Sequence, residues 1–218
     1  MVEVYDSHEQ SERVKGWLRE NGSAIVMGLV LAFGGLFGFK QWQVWDENKA
    51  KQASSEYETL VELLQEDRLD DAVANYDVLK SDYSGSAYTP LAALQMAAAR
   101  VEVNQVDLAI SLLEDALPSA EPAPVKTIIQ ERLARLHLDQ GDTDRALALI
   151  DGATSTTGFE SRFEELRGDV HQARGEPEAA LAAYRSALAL SDSGVGYRPL
   201  LEMKIEALGG SAEAGEES

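Results

Sequence analysis

The pattern of hydrophobic residues begins with one continuous run close to the N-terminus. Nineteen residues without a charge, 21–39, lie between Glu20 and Lys40. A helix of this length spans roughly 28 Å at 1.5 Å per residue, which is close to the hydrocarbon thickness of a bilayer. Tryptophans at positions 17, 42 and 45 flank the run, where indole rings favour the headgroup layer. The pattern predicts a transmembrane helix over residues 21–39, after an N-terminal tail (1–20) that contains an interfacial helix.

Two other kinds of segment produce a similar apolar run: the buried helix of a soluble protein and a cleavable signal peptide. The end of the run and the residues after it, Phe39 to Trp42, contain no small-x-small cleavage site, so we expect the segment to be retained as an anchor. The chain has no cysteine, which excludes lipoprotein attachment through a cysteine, disulfides and thiol chemistry.

The basic residues beside the run bear on the orientation of the anchor in the membrane. Three basic residues precede it and three follow it: Arg13, Lys15 and Arg19 before, Lys40, Lys49 and Lys51 after. The counts tie, and the somewhat closer spacing on the N-terminal side favours a cytoplasmic N-terminus. Charge alone leaves both orientations open.

Beyond the run, the chain is rich in alanine and leucine with helical periodicity, and it repeats. Four segments that start at Asp67, Asn104, Gly141 and Gly175 superpose without gaps over their central part. Their equivalent alanines are spaced 37, 37 and 34 residues apart, and the last interval equals the tetratricopeptide period: Ala72, Ala109, Ala146 and Ala180. The pattern predicts an all-α fold in which residues 40–208 form a tetratricopeptide-like α-solenoid of about four helical hairpins.

The residue types in each repeat agree with a helical hairpin. Asp, Asn and Gly tolerate the left-handed backbone that a turn between two helices needs. Small residues follow where the paired helices approach closely, and the fullest match to the tetratricopeptide pattern is in the fourth repeat: Gly168, Ala180, Tyr184 and Ala187. The corresponding positions of the third repeat are Ala134, Ala146 and Ala153. A short closing helix is predicted near residues 199–208, and the acidic tail (209–218) has no core-forming side chains, so we expect it to be disordered.

Charge and composition exclude several kinds of function. The formal net charge is −19, which argues against nucleic acid as a partner, because phosphate binding depends on Lys and Arg. His137 and His171 lie 34 residues apart, at the same repeat position, which gives them a structural explanation. The sequence has no metal-ligand spacing, phosphate loop or nucleophile motif, so we expect no metal, no cofactor and no enzyme activity.

Two surfaces are the candidate binding sites. Small residues recur in the apolar run and would allow close packing against another transmembrane helix: Ala24, Gly28, Ala32, Gly34 and Gly38. In the repeats, the inner face of the first helices would offer a partner-binding surface formed by Leu91, Leu94, Ala98 and Val101 of the second repeat and Ile128, Glu131, Arg135 and Leu138 of the third. The alternative for the second set is that the neighbouring hairpin covers most of these side chains.

The chain resembles the YfgM family over nearly its full length. The most specific similarity is the opening segment from Val2 to Gly28 (VEVYDSHEQSERVKGWLRENGSAIVMG), followed by the aromatic exit from Phe39 (FKQW). Further similarities begin at Arg132 (RLARLHL), Leu166 (LRGDVHQARGEPEAA) and Met203 (MKIEAL).

This resemblance implies a bacterial inner-membrane protein with one span, a cytoplasmic N-terminus and a periplasmic tetratricopeptide-like domain. It implies an ancillary subunit of the SecYEG translocon, which acts as an adaptor between translocated proteins and periplasmic chaperones. The implied partners are SecYEG, the membrane-anchored chaperone PpiD and a regulator of the Rcs stress response. The alternative is a membrane-anchored scaffold or stress-response regulator that faces the cytoplasm and binds a protein partner.

Overall fold

The computed structural model describes residues 7–153, 158–191 and 198–211, except for the side chains of residues 7–10 and Ile25. Within these ranges the chain is all α-helical and contains no strand. The helices are α1 (Ser7–Gln65), α2 (Leu69–Asp82), α3 (Tyr88–Glu102), α4 (Val106–Ala116), α5 (Ala123–Asp139), α6 (Thr143–Asp151), α7 (Glu160–Ala173), α8 (Pro177–Leu190) and α9 (Arg198–Ala207), with a 3₁₀ turn at Leu117–Ser119. The closing helix predicted near residues 199–208 is confirmed as α9.

The chain divides into two compact units, Met1–Gln52 and Ala53–Ser218. Most of the predicted acidic tail, residues 212–218, lies outside the described residues. The same holds for residues 1–6 of the predicted N-terminal tail and for residues 192–197, which contain most of the break expected before α9.

In the first unit, α1 carries the apolar run, and large apolar side chains between Val26 and Phe39 are at least half exposed. No single helix in the described part of the chain is long and apolar enough to cross a membrane. The segments Ser11–Ala24 and Val26–Gln65 meet that requirement only as a pair, and they are bent by 47°. The bend lies inside the predicted span, which therefore remains a prediction.

The second unit contains the four predicted hairpins. The end of α1 shares a buried apolar cluster with α2, and Asn75 on α2 donates to Glu56 on α1 over 2.7 Å. The next three hairpins pair α3 with α4, α5 with α6 and α7 with α8, and α9 packs on α8. A tetratricopeptide-like solenoid needs this stacking, because one hairpin alone buries too little apolar surface.

The turn of each hairpin has the left-handed backbone that the repeat alignment predicts. The residues with positive φ are Asp67 (59°), Asn104 (59°), Gly141 (78°) and Gly175 (74°). Each turn closes the preceding helix with a bond from the following amide to a carbonyl five residues earlier, the pattern of a Schellman motif. These bonds are Arg68 to Leu63 (2.9 Å), Gln105 to Arg100 (2.8 Å), Asp142 to His137 (2.8 Å) and Glu176 to His171 (2.9 Å).

Small residues allow the two helices of each hairpin to pack closely. The equivalent alanines predicted from the sequence are completely buried: Ala72, Ala109, Ala146 and Ala180. In the fourth hairpin Gly168 faces the ring of Tyr184, and an added Cβ there would lie only 2.5 Å from Cδ1 of that ring. A side chain at position 168 would therefore force α7 and α8 apart.

We expect Gly168→Ala to destabilise the second unit by roughly 1–3 kcal/mol, because the new methyl group overlaps the buried Tyr184 ring. Gly85→Ala is the matched control, since an added Cβ there has no neighbour within 4 Å and should change the free energy of unfolding by less than about 0.5 kcal/mol. Urea unfolding followed by circular dichroism measures both. Equal stability of the two variants would contradict the close packing at Gly168.

Candidate partner-binding face

The eight predicted partner-binding residues lie on two first helices of hairpins, four on α3 and four on α5. In space, α3 contacts α5 and α5 contacts α7. We define the first-helix face as the surface that α3, α5 and α7 form together with residues 53–65 of α1. Its character changes from apolar at α3 to charged at α7.

The apolar half of this face lies on α1, α3 and the parts of α5 on either side of Glu131 and Arg135. Val101 is 38% exposed, whereas Leu94 is only 5% exposed and belongs to the core. Four predicted residues are half-buried: Leu91, Ala98, Ile128 and Leu138. At the N-terminal end of α3 the rings of Tyr57 and Tyr88 pack at 5.7 Å between centroids. Val101 is thus the predicted apolar residue with the most surface free for a partner.

The charged half is centred on Glu131 and Arg135 of α5. The Glu131 carboxylate is buried and bonds to Nε of Arg135 at 3.1 Å and to Nη2 of Arg162 at 3.0 Å. Arg135 also reaches the buried carboxylate of Glu165 on α7 at 3.5 Å. The Glu131 carboxylate therefore helps to join α5 to α7. The half-exposed side chains of Arg135 and Arg162 remain at the surface.

The network continues from α7 to α8 and α9. Nζ of Lys204 lies 2.7 Å from Glu165 and 2.6 Å from Asp169, and it lies over the ring of Tyr184 at 5.3 Å from the centroid. The Tyr184 hydroxyl donates to Asp169 over 2.7 Å and lies 2.8 Å from Oε1 of Gln172. Three carboxylates and three basic groups thus balance across the two first helices α5 and α7 and the closing helix α9.

The pKa shifts in this network follow from burial and from the paired charges. Burial alone would lower the pKa of Arg135, but the carboxylates of Glu131 and Glu165 outweigh it and raise that pKa above its ordinary value. Burial, and then the hydrogen bond to Asp169, raises the pKa of Tyr184 well above its ordinary value. The site therefore keeps Arg135 charged and Tyr184 neutral.

The predicted transmembrane packing residues lie along α1 in the first unit: Ala24, Gly28, Ala32, Gly34 and Gly38. An added Cβ at Gly28, Gly34 or Gly38 would have no neighbour within 4 Å. No contact within the described part of the chain therefore explains these three glycines, and their role in helix packing remains a prediction. Across the described ranges, no group of His, Asp and Glu side chains has the arrangement of a metal site.

The repeat geometry agrees with a match to a known family. The sequence model of a family described as a tetratricopeptide repeat-like domain matches residues 15–210. The chain belongs to this family. The predicted fold class, an all-α tetratricopeptide-like solenoid, is thereby confirmed for the repeat domain.

Curated relatives of this chain share one name, "Ancillary SecYEG translocon subunit". The relative from Haemophilus influenzae is 29% identical over 186 residues, which cover 84% of this chain and 90% of that protein. The relative from Escherichia coli K12 is 27% identical over 208 residues, which cover 95% of this chain and 99% of that protein. These relatives confirm the resemblance to the YfgM family.

Solved structures of MamA have the same fold as the repeat domain. The MamA RS-1 ArsTM double mutant superposes with a TM-score of 0.54 at 15% identity and covers 74% of this chain and 89% of that one. MamA 41-end from Desulfovibrio magneticus RS-1 superposes with a TM-score of 0.52 at 14% identity. The match covers 78% of this chain and 98% of that one. At these identities the likeness concerns the fold alone.

Sequence reasoning missed the part of the network on α7 and α9. Arg162, Glu165 and Asp169 each lie 34 residues after a predicted residue, namely Ile128, Glu131 and Arg135. Extending the repeat register by one unit would therefore have placed them on the same face. Lys204 carried no such signal, because its role depends on how α9 packs against α7 and α8.

We expect Tyr184→Phe to cost about 1 kcal/mol of stability at pH 7, the usual net value of a buried hydrogen bond. The folded-state pKa of Tyr184 is raised, so the stability from its neutral form is complete below about pH 10 and is lost as the unfolded chain ionises above that pH. Phenylalanine does not ionise, and the difference between wild type and variant should shrink above pH 10. Urea unfolding at pH 7 and pH 11 measures it, and a difference that does not change with pH would contradict this assignment.

Proposed function

We propose that this chain is an ancillary subunit of the SecYEG translocon and acts as a non-enzymatic adaptor in the bacterial inner membrane. The observation that carries the proposal is the shared name of relatives that align over up to 95% of the chain. The alignment that covers 95% of the chain extends over both the apolar run and the repeats. A repeat domain is a typical scaffold for binding proteins and peptides.

The first unit supports a membrane location. Its apolar side chains lie all around the segment, with Leu31, Phe33 and Phe37 more than two-thirds exposed. Exposed apolar surface of this extent is unfavourable in water and favourable in lipid. We propose that residues 21–39 form the single span, with its small residues facing a helix of the translocon.

We propose that the N-terminus is cytoplasmic and that the repeat domain, residues 40–208, lies in the periplasm. Protease treatment of spheroplasts tests this orientation directly. In intact spheroplasts the repeat domain should be digested while an N-terminal tag is protected. Digestion of the domain only after the inner membrane is broken would instead establish the cytoplasm-facing scaffold or stress-response regulator.

The apolar half of the first-helix face is the proposed binding surface for partner proteins. Half-buried Leu91, Ile128 and Leu138 and exposed Val101 lie on neighbouring first helices, and together they suit an extended or helical peptide with apolar side chains. From the family resemblance we propose PpiD as the chaperone partner, with translocated proteins as clients. On the same resemblance, we propose a regulator of the Rcs response as a further partner.

Site-specific photocrosslinking from Val101 in intact cells tests this surface. Leu108 is the matched control, because it is a similarly exposed apolar residue (49% against 38%) that lies on the second helix α4. We expect adducts with PpiD or translocon subunits from Val101 and at least tenfold fewer from Leu108. Equal yields from both positions, or no adduct from Val101, would contradict binding at the first-helix face.

A further inference from the structure

The junction between the third hairpin (α5 and α6) and the fourth (α7 and α8) is held by arginines. Four arginine–carboxylate pairs cross it among the described residues. They are Arg162 with Glu131 (3.0 Å), Arg135 with Glu165 (3.5 Å), Arg167 with Asp151 (2.6 Å) and Arg174 with Asp144. Arg162 and Arg167 belong to α7 and Arg174 is its C-cap residue, so the α7 side supplies the basic group in three of the four pairs.

The first three hairpins are joined differently. They share one apolar cluster that runs from Ala53 on α1 to Leu133 on α5. In the described ranges, Lys80 pairs with Asp115 between these hairpins at 2.9 Å, and Nε2 of His137 lies 3.7 Å from Glu114. Their association therefore depends on apolar burial, which is insensitive to charge.

The apolar contacts of the fourth hairpin belong to clusters separate from that of the first three hairpins. On the side of the third hairpin, Phe163, Leu166 and Val170 of α7 pack against Ala134, Ala146 and Ile150. On the other side, α8 and α9 share an apolar cluster that is separate from the one between α7 and the third hairpin. In repeat proteins, stability is approximately a sum of repeat and nearest-neighbour terms, so one junction can open while the others stay closed.

The charges at the junction specify how the hairpins dock. Glu131 and Glu165 are buried, and a buried carboxylate that loses its basic partner is strongly destabilising. Without the arginines, the two buried carboxylates would lack partners in an interface of a chain whose net charge is −19. The closed junction therefore depends on the ion pairs as well as on its small apolar cluster.

We propose that α7, α8 and α9 open from α5 and α6 as one unit, and that the four arginine pairs hold this hinge closed. Opening exposes the apolar side chains of Phe163, Leu166 and Val170 together with the surface formed by Ala134, Ala146 and Ile150. The repeat domain thus contains a conformational device that hides an apolar surface. This device goes beyond the proposed function and does not depend on the identity of any partner.

Hydrogen exchange with mass spectrometry on the full chain in lipid nanodiscs tests the hinge. Exchange of the wild type is measured at increasing urea concentrations below unfolding. We expect the free energy of the opening reaction that exposes amides of α7 to α9 to be lower than that for amides of α2 to α5. A single opening reaction shared by all these helices would overturn the proposal. This measurement needs no variant and holds even if a variant fails to fold.

The double variant Arg162→Gln/Arg167→Gln then tests the role of the ion pairs. We expect exchange in α7 to α9 to become at least tenfold faster, with α2 to α5 within twofold of wild type. The charge-matched control is Lys80→Gln/Arg145→Gln, which removes a pair between α2 and α4 and a pair within the α5–α6 hairpin. The proposal is overturned if α7 to α9 are unchanged in the double variant, or if the control accelerates them equally.

Discussion

The close approach of two helices in each hairpin is the constraint on which the repeat domain depends. It requires a small residue at the contact, met by four completely buried alanines, and a left-handed residue at the turn, met by Asp67, Asn104, Gly141 and Gly175. These two requirements fix where each hairpin begins and turns. Because every hairpin then presents the same faces, stacking places all first helices side by side and creates a continuous surface.

That surface divides into parts with different physical roles. Where the first helices carry Val101 and Leu138, apolar side chains remain partly exposed and available for contact with a partner. Where they carry Glu131, Glu165 and Arg162, the polar groups bind one another and join successive hairpins. The ion pairs thus serve internal cohesion, and recognition is the proposed role of the apolar side chains.

The sequence predicted the features that depend on local backbone preference. The positive φ of Asp67 and Asn104 followed from their alignment with glycines, and the burial of the equivalent alanines followed from their spacing. It did not predict that Glu131 would be buried between α5 and α7 or that Lys204 would reach Glu165 from α9. Those contacts depend on rotations of packed helices, which a repeat period does not encode. The boundary of the first unit at Gln52 likewise has no local signal, because α1 continues through it.

The central claim is that the chain works beside the translocon through its partners. The most direct measurement is quantitative mass spectrometry of proteins that co-purify with the tagged full chain after mild detergent solubilisation. The control is an unrelated single-span inner-membrane protein with the same tag and expression level. The account predicts enrichment of SecY, SecE and SecG at least tenfold over the control. A chain that is folded and membrane-bound, yet recovers no more translocon than the control, would contradict it.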